Sequence, residues 1–265
     1  MNTTLAPAQI GFYKENGFVK HAGLLSAPEI AELKTAVLET IGSMGKKKVA
    51  GEAVGWEEGE TYYDKVFTQR LNLWRINQTI RDYMLGHVLG RMLWQLEGGE
   101  GLRVWHDQAL IKEPFGNPTG WHLDNPYWSF FSRHSISVWI ALEDATLENG
   151  CMWFSPASQK LAGYDNSGIG PNLGDLFKLY PKMGEIDPVP VPMKAGDCSF
   201  HNGLTAHGAG ANMTRKRRIA MTCAYMPIGS TFNGQRNILP EAYFKSLKKG
   251  DVLANDEWNP IVYPV

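Results

Sequence analysis

The chain has 265 residues, 43% of them hydrophobic and 20% charged, with 26 Lys and Arg against 27 Asp and Glu and a formal net charge of −1. These proportions exclude a disordered chain, and a protein of this length buries about 70–75% of its unfolded surface without needing disulfides. A near-neutral balance supplies no basic field, so neither nucleic acid nor an anionic membrane is an expected partner. Cys151, Cys198 and Cys223 lie far apart and make no Cys-x-x-Cys pair, which predicts reduced core thiols in a cytoplasmic protein. No basic and apolar leader opens the chain, and no apolar run approaches the about 20 residues of a membrane span.

Ser26 with Glu29 three residues later forms a capping box, and Pro28 sits in the first turn, where its missing N–H costs nothing. Ile30, Leu33, Val37 and Ile41 follow at helical spacing, predicting a helix that stops near Gly42. A second helical period runs over 79–96, with Tyr83, Met84, Val88 and Met92 toward the core. Between them, 45–68 is rich in glycine and charge and includes Lys46-Lys47-Lys48. A loop this long reads as a lid, and its lysines as a solvated surface.

From residue 102 the punctuation changes. Short apolar runs at 108–112, 135–142, 152–155, 188–193, 197–201 and 219–226 are separated by Gly, Pro, Asn and Asp. This pattern predicts an antiparallel β sandwich or barrel. No Gly-x-Gly-x-x-Gly precedes a helix, so a dinucleotide fold is not expected. One domain over 1–265 is predicted, with mostly helical support in 1–100 and the barrel in 101–265. Residues 162–184 read as an insertion over the barrel mouth, a second lid.

The chemistry starts at Trp121-His122-Leu123-Asp124. In a strand, residues i and i+2 share a face, so His122 and Asp124 offer one nitrogen and one oxygen to the same metal. His201 and His207 are the candidates for a third ligand. Two histidines and a carboxylate on one face, with three positions open, make the facial triad of non-haem Fe(II) oxygenases. The open positions suit a bidentate 2-oxo acid and dioxygen. The far carboxylate of such a co-substrate needs a cation, which arginine's planar fork matches best.

These blocks together resemble the phytanoyl-CoA dioxygenase-like family of Fe(II)/2-oxoglutarate oxygenases. The resemblance runs from Phe12-Tyr13-Lys14-Glu15-Asn16-Gly17-Phe18 through the His122 motif, Glu148-Asn149-Gly150-Cys151-Met152 and Ser155-Pro156-Ala157-Ser158, to Ala195-Gly196-Asp197 and His207-Gly208. It implies a mainly β fold, the double-stranded β-helix or jelly roll (a cupin-like barrel), flanked by N-terminal α-helices. It implies iron ligands His122, Asp124 and His207, because His207-Gly208-Ala209-Gly210 matches the family's context and His201-Asn202-Gly203 does not. It implies Arg218, eleven residues past His207, as the 2-oxoglutarate anchor. Strand alternation agrees: Arg218, Ala220 and Thr222 share one face and Ile219, Met221 and Cys223 the other. Arg215 and Arg217 then belong to a solvated turn.

Trp139 matches a family tryptophan that lines the co-substrate pocket. Where relatives carry a serine two residues past the distal histidine, this chain has Ala209, and Thr222, Gln108 or Lys112 are candidates to replace its hydrogen bond. Halogenating relatives replace the carboxylate ligand with a small residue, whereas Asp124 is retained here, which points to hydroxylation. Trp128, Phe130, Phe131 and Trp153, with Arg133 nearby, are the candidate substrate contacts. The expected reaction is hydroxylation of an unactivated C–H in a small-molecule or acyl substrate, with 2-oxoglutarate and dioxygen consumed and succinate and CO2 released. The rival readings are a cupin-like metal isomerase or hydrolase, and a non-catalytic binding protein on the same fold.

Overall fold

The structure is a computed structural model that describes residues 1–51 and 61–264. Of the predicted lid loop at 45–68, residues 52–60 lie outside the described residues.

The helical half begins with α1 (Pro7–Asn16), a helix the sequence reading did not anticipate. Its apolar residues make no stripe, and Tyr13 alone is buried. The strand β1 (Phe18–His21) follows, then α2 (Ala27–Met44) behind the Ser26 cap. Glu29 accepts from both the backbone N–H and the hydroxyl of Ser26, each at 2.8 Å. The helix passes through Gly42 and stops at Gly45, whose φ of 57° ends it. Buried Met44 holds the extra turn in place against the glycine penalty of about 1 kcal/mol.

After β2 (Thr68–Leu71), the predicted helix over 79–96 is two helices, α3 (Gln78–Met84) and α4 (His87–Glu97). The break falls at Gly86, where a Cβ would lie 2.5 Å from the Asp82 carbonyl. The break resets the helical phase. Met84 and Met92 are buried as expected, but Val88 is 47% exposed, and Leu89, Leu93 and Leu96 turn inward instead.

The barrel half carries β3 (Leu102–Lys112), β4 (Thr119–His122), β5 (Ile136–Ala141), β6 (Met152–Phe154), α5 (Asp175–Leu179), β7 (Val189–Val191) and β8 (Cys198–Asn202). It closes with β9 (His207–Ala209), β10 (Arg218–Pro227), α6 (Glu241–Ser246) and β11 (Ile261–Tyr263). Seven strands form one sheet in the order β1-β8-β5-β10-β3-β11, with β2 also on β3. Four form the facing sheet, β4-β9-β6-β7. Antiparallel pairing throughout both sheets makes this a jelly roll.

The seven-stranded sheet is buried on both faces, and alternation decides which residue goes where. Ile219, Met221, Cys223 and Tyr225 of β10 face the helices, in a core with Leu33, Val37, Ile80 and Met92. Arg218, Ala220, Thr222 and Ala224 are left for the barrel interior, where Ala220 joins Trp139, Met152 and Phe154. The predicted insertion at 162–184 packs over β4: Leu176 and Met183 bury against Leu123, Ala162 and Ala206, and the Trp121 N–H donates to the Leu173 carbonyl.

Candidate metal and co-substrate site

The short pair β4–β9 builds the centre of the site. His122 and His207 are directly opposed in its register, with ring centroids 4.2 Å apart. Asp124 lies past the end of β4, in a helical backbone conformation that opens the turn at Asn125–Tyr127. His122 and Asp124 thus reach one side not within a continuing strand, as expected, but across its end, while Leu123 turns into the opposite core.

The local hydrogen bonds orient all three side chains. Nδ1 of His122 is 2.9 Å from the Gly120 carbonyl, and Nδ1 of His207 is 2.9 Å from that of Thr205. Each Nδ1–H is therefore committed to the backbone, and each Nε2 keeps its lone pair free. The two Nε2 atoms lie 3.6 and 3.7 Å from Asp124 Oδ1. The ligand atoms of His122, Asp124 and His207 all fall within 4.8 Å of one another, close enough for one ion. Burial, then the neighbouring His122, pushes His207 down to about 3, which keeps it neutral. Burial pushes the Asp124 carboxyl up, but His207, His122 and His201 outweigh it and hold the group well below the usual carboxylate range. Two imidazole nitrogens and a carboxylate oxygen fit a divalent iron.

His201 stands beside this set rather than in it. Its Nε2 lies 3.2 Å from Asp124 Oδ2, the oxygen turned away from the two other histidines, and Ser137 Oγ lies 3.4 Å from the same atom.

A cavity of about 350 Å³ opens over the three residues. Trp139, Gln108, Thr222 and Trp128 are among the residues that line it. Arg218 lies against the Trp139 and Phe67 rings that line the cavity, with its guanidinium 5.0 and 5.7 Å from their centroids. It is 1% exposed, and none of its three side-chain nitrogens has a hydrogen-bond partner. A buried guanidinium with no partner is costly, and a carboxylate entering from the cavity fits it. Arg217, by contrast, is exposed.

Three expected substrate contacts lie elsewhere. Phe130 is fully buried in a separate core, edge-on to Trp105 at 5.2 Å. Phe131 is 44% exposed and stacks on Tyr164. Trp153 points away from the cavity because its neighbour Met152 takes the inward place on β6. Arg133 is spent on the Gln159 carbonyl. The expected Lys112 contact is also indirect, since its amine donates to the Asn117 and Gly210 carbonyls.

The cavity adds residues that sequence reasoning missed: Thr119, Tyr63, His106, Tyr127, Ser137 and Asn237. Thr119 is directly across from Ala209 in the β4–β9 register, and its buried hydroxyl has no partner. Its signal was its place three residues before His122. His106 is held neutral by burial, which pushes it down to about 4, and its Nδ1 is unpartnered.

Comparison with known proteins agrees with this geometry. The phytanoyl-CoA dioxygenase (PhyH) family profile matches residues 13–220. Methylphosphonate hydroxylase of Gimesia maris is 26% identical over 237 residues, covering 85% of this chain and 82% of that one. Peroxisomal phytanoyl-CoA dioxygenase of Rattus norvegicus is 26% identical over 239 residues, covering 84% and 69%. The crystal structure of the non-haem alpha-ketoglutarate-dependent carbocyclase SnoK of nogalamycin biosynthesis superposes with a TM-score of 0.79 at 26% identity, covering 97% and 96%. Fold and site together define a non-haem iron, 2-oxoglutarate-dependent dioxygenase. The chain belongs to the phytanoyl-CoA dioxygenase family. Among the described residues, no helix is long and apolar enough to cross a membrane.

Proposed function

We propose that this dioxygenase hydroxylates an unactivated C–H of a small-molecule or acyl substrate, releasing succinate and CO2. In this reading His122 Nε2, Asp124 Oδ1 and His207 Nε2 hold the iron, and Arg218 receives the far carboxylate of 2-oxoglutarate. The observation that carries it is Arg218 itself: a buried guanidinium with three unpartnered nitrogens beside a cavity that contains a facial triad. A cupin-like isomerase or hydrolase has no use for such a cation.

Bound iron would activate dioxygen, the oxidant, with 2-oxoglutarate oxidised to succinate and CO2 as the co-substrate, and the chain's residues bind, orient and exclude water. Thr119 adds a hydroxyl donor to the carboxylate that Arg218 anchors, in the place Ala209 leaves empty. Trp139 and Phe67 wall off that end from water. Ser137 and His201 hold Oδ2 of Asp124, which leaves Oδ1 facing His122 and His207, where the iron would be held. His106 sits six residues from Lys112 along β3, about 20 Å at the rise of a strand. The substrate end is accordingly the wall of His106, Tyr127, Trp128 and Asn237, with Ile169 of the 162–184 insertion as part of its lid. The whole chain acts as one catalytic domain. The three free, buried cysteines support work in the reducing cytoplasm.

The test is succinate formation from 2-oxoglutarate under air, with and without Fe(II), across a panel of small metabolites and acyl thioesters. Iron-dependent succinate stimulated by one compound, with a matching hydroxylated product, is the expected result. Stimulated turnover that yields a cyclised, desaturated or halogenated product instead would correct the reaction type.

A further inference from the structure

Lys112 and Arg218 are directly opposed in the β3–β10 register, and both are fully buried. Among the described residues neither faces a carboxylate within ion-pair distance. The Phe67 ring, which lines the cavity, lies 4.9 Å from the Lys112 amine and 5.7 Å from the Arg218 guanidinium. Two buried cations side by side with no carboxylate paired to either is an arrangement that proteins avoid.

The structure is built around this lysine all the same. Its amine donates to the carbonyls of Asn117 and Gly210, each at 2.8 Å. Gly150, with φ of 89°, leaves the space its stem needs, since a Cβ there would lie 3.0 Å from Lys112 Cδ. Gly116 is similarly close, with its Cβ position 3.3 Å from Lys112 Cγ. Two carbonyls satisfy a neutral amine, which has two N–H bonds. An ammonium has a third, and among the described residues no oxygen is hydrogen-bonded to it.

We propose that Lys112 takes up a proton from solvent when the 2-oxoglutarate carboxylate enters beside Arg218, so that co-substrate binding and proton uptake are coupled. This rests on Arg218 being the carboxylate anchor. With the site empty, burial and then Arg218 push Lys112 down to about 6, so it is mostly neutral at neutral pH. The incoming carboxylate supplies the missing negative charge and raises it. The other titratable groups around the pair are Glu143 after β5 and the Cys151 thiol before β6, both facing Arg218, with Glu148 in the loop ahead of Gly150. None of them is hydrogen-bonded to Lys112. Lys112 is a positioning residue here: it acts on 2-oxoglutarate through the charge balance of the Arg218 site and touches no metal ligand.

The sign follows from linkage. Between the free and bound pKa values of Lys112 the complex holds one more proton than its parts, so affinity falls as pH rises, by up to about tenfold per unit. The experiment is calorimetric titration of 2-oxoglutarate into the anaerobic Fe(II) protein at about pH 7.5, in Hepes and in Tris, whose ionisation enthalpies differ. The wild type is expected to take up about one proton more than Lys112→Met, and to lose affinity with rising pH more steeply. Lys112→Arg, permanently charged, is a second comparison should the Met variant fail to fold, and it is expected to bind with a flatter pH profile than the wild type. Equal proton uptake in wild type and variant, or none in the wild type, overturns this inference while leaving the proposed function standing. Failure of 2-oxoglutarate to bind the wild-type iron protein overturns both.

Discussion

His201 Nε2 lies 3.2 Å from Asp124 Oδ2, while Asp124 Oδ1 faces His122 and His207. The carboxylate thus divides its oxygens between the site and its support. The two histidines named as candidates for the third ligand thus stand in different places, His207 beside Oδ1 and His201 beside Oδ2. His207→Ala is expected to abolish iron binding. His201→Ala is expected to weaken it about 10–100-fold, the scale at which residues that orient a ligand act. Anaerobic Fe(II) titration against a competing chelator measures both, and loss of binding in the His201 variant alone would reverse the assignment.

Arg218→Ala removes the proposed carboxylate anchor and should leave iron binding intact. Truncating one partner of a buried, charge-assisted pair costs about 2–5 kcal/mol, or about 30- to several-thousand-fold in 2-oxoglutarate affinity. Arg217→Ala is the control: the side chain is exposed, and a change below about threefold is expected. Comparable losses in both variants would show that general positive charge, not the buried fork, holds the co-substrate.

Thr119→Val keeps the shape of the side chain and removes its hydroxyl. A hydrogen bond to a charged group is worth about 1.5–3 kcal/mol, so 2-oxoglutarate should bind about ten- to a hundredfold more weakly. The unliganded protein should lose no stability, because the hydroxyl is buried and unpartnered. Thr119→Ser should keep most of the affinity. A Val variant that is less stable but binds normally would give Thr119 a packing role only.

The sequence revealed most of this site because its elements are local and periodic. His122 and Asp124 are two residues apart, and the face of Arg218 follows from the alternation of β10. What it concealed depends on distant pairing. Nothing local says that Thr119 faces Ala209, which is a matter of β4–β9 register. Phe130, Phe131 and Trp153 lie outside the cavity for a related reason. An aromatic residue near a ligand motif fills the core as readily as a cavity, and the packing of Trp105 and Tyr164 decided the matter for the two phenylalanines. In the helical half, the period that reads as continuous breaks at Gly86, where the close approach of the Asp82 carbonyl leaves no room for a Cβ, a backbone contact that no pattern records.

Asp107 gives the fold a pH dependence of its own. Its carboxylate accepts from the Leu73 N–H at 2.6 Å and the Trp74 N–H at 2.8 Å, tying β3 to the turn before α3. Burial pushes it up to about 7, against the lowering effect of those two bonds. The folded state therefore holds a proton that the unfolded state has released, and this contribution to stability is lost as pH rises from about 4 to 7. Asp107→Asn should flatten that slope, read as the denaturant midpoint at pH values across the window. A slope as steep as that of the wild type would remove Asp107 as its source.

The central claim is that His122, Asp124 and His207 hold iron in a site where 2-oxoglutarate then binds. The most direct measurement is the visible charge-transfer absorption that appears when 2-oxoglutarate chelates Fe(II), recorded anaerobically on the wild type, His122→Ala and His207→Ala. The account predicts a band that saturates at one 2-oxoglutarate per chain in the wild type and is absent from both variants, with all three proteins folded. A band of full intensity in either histidine variant would contradict it.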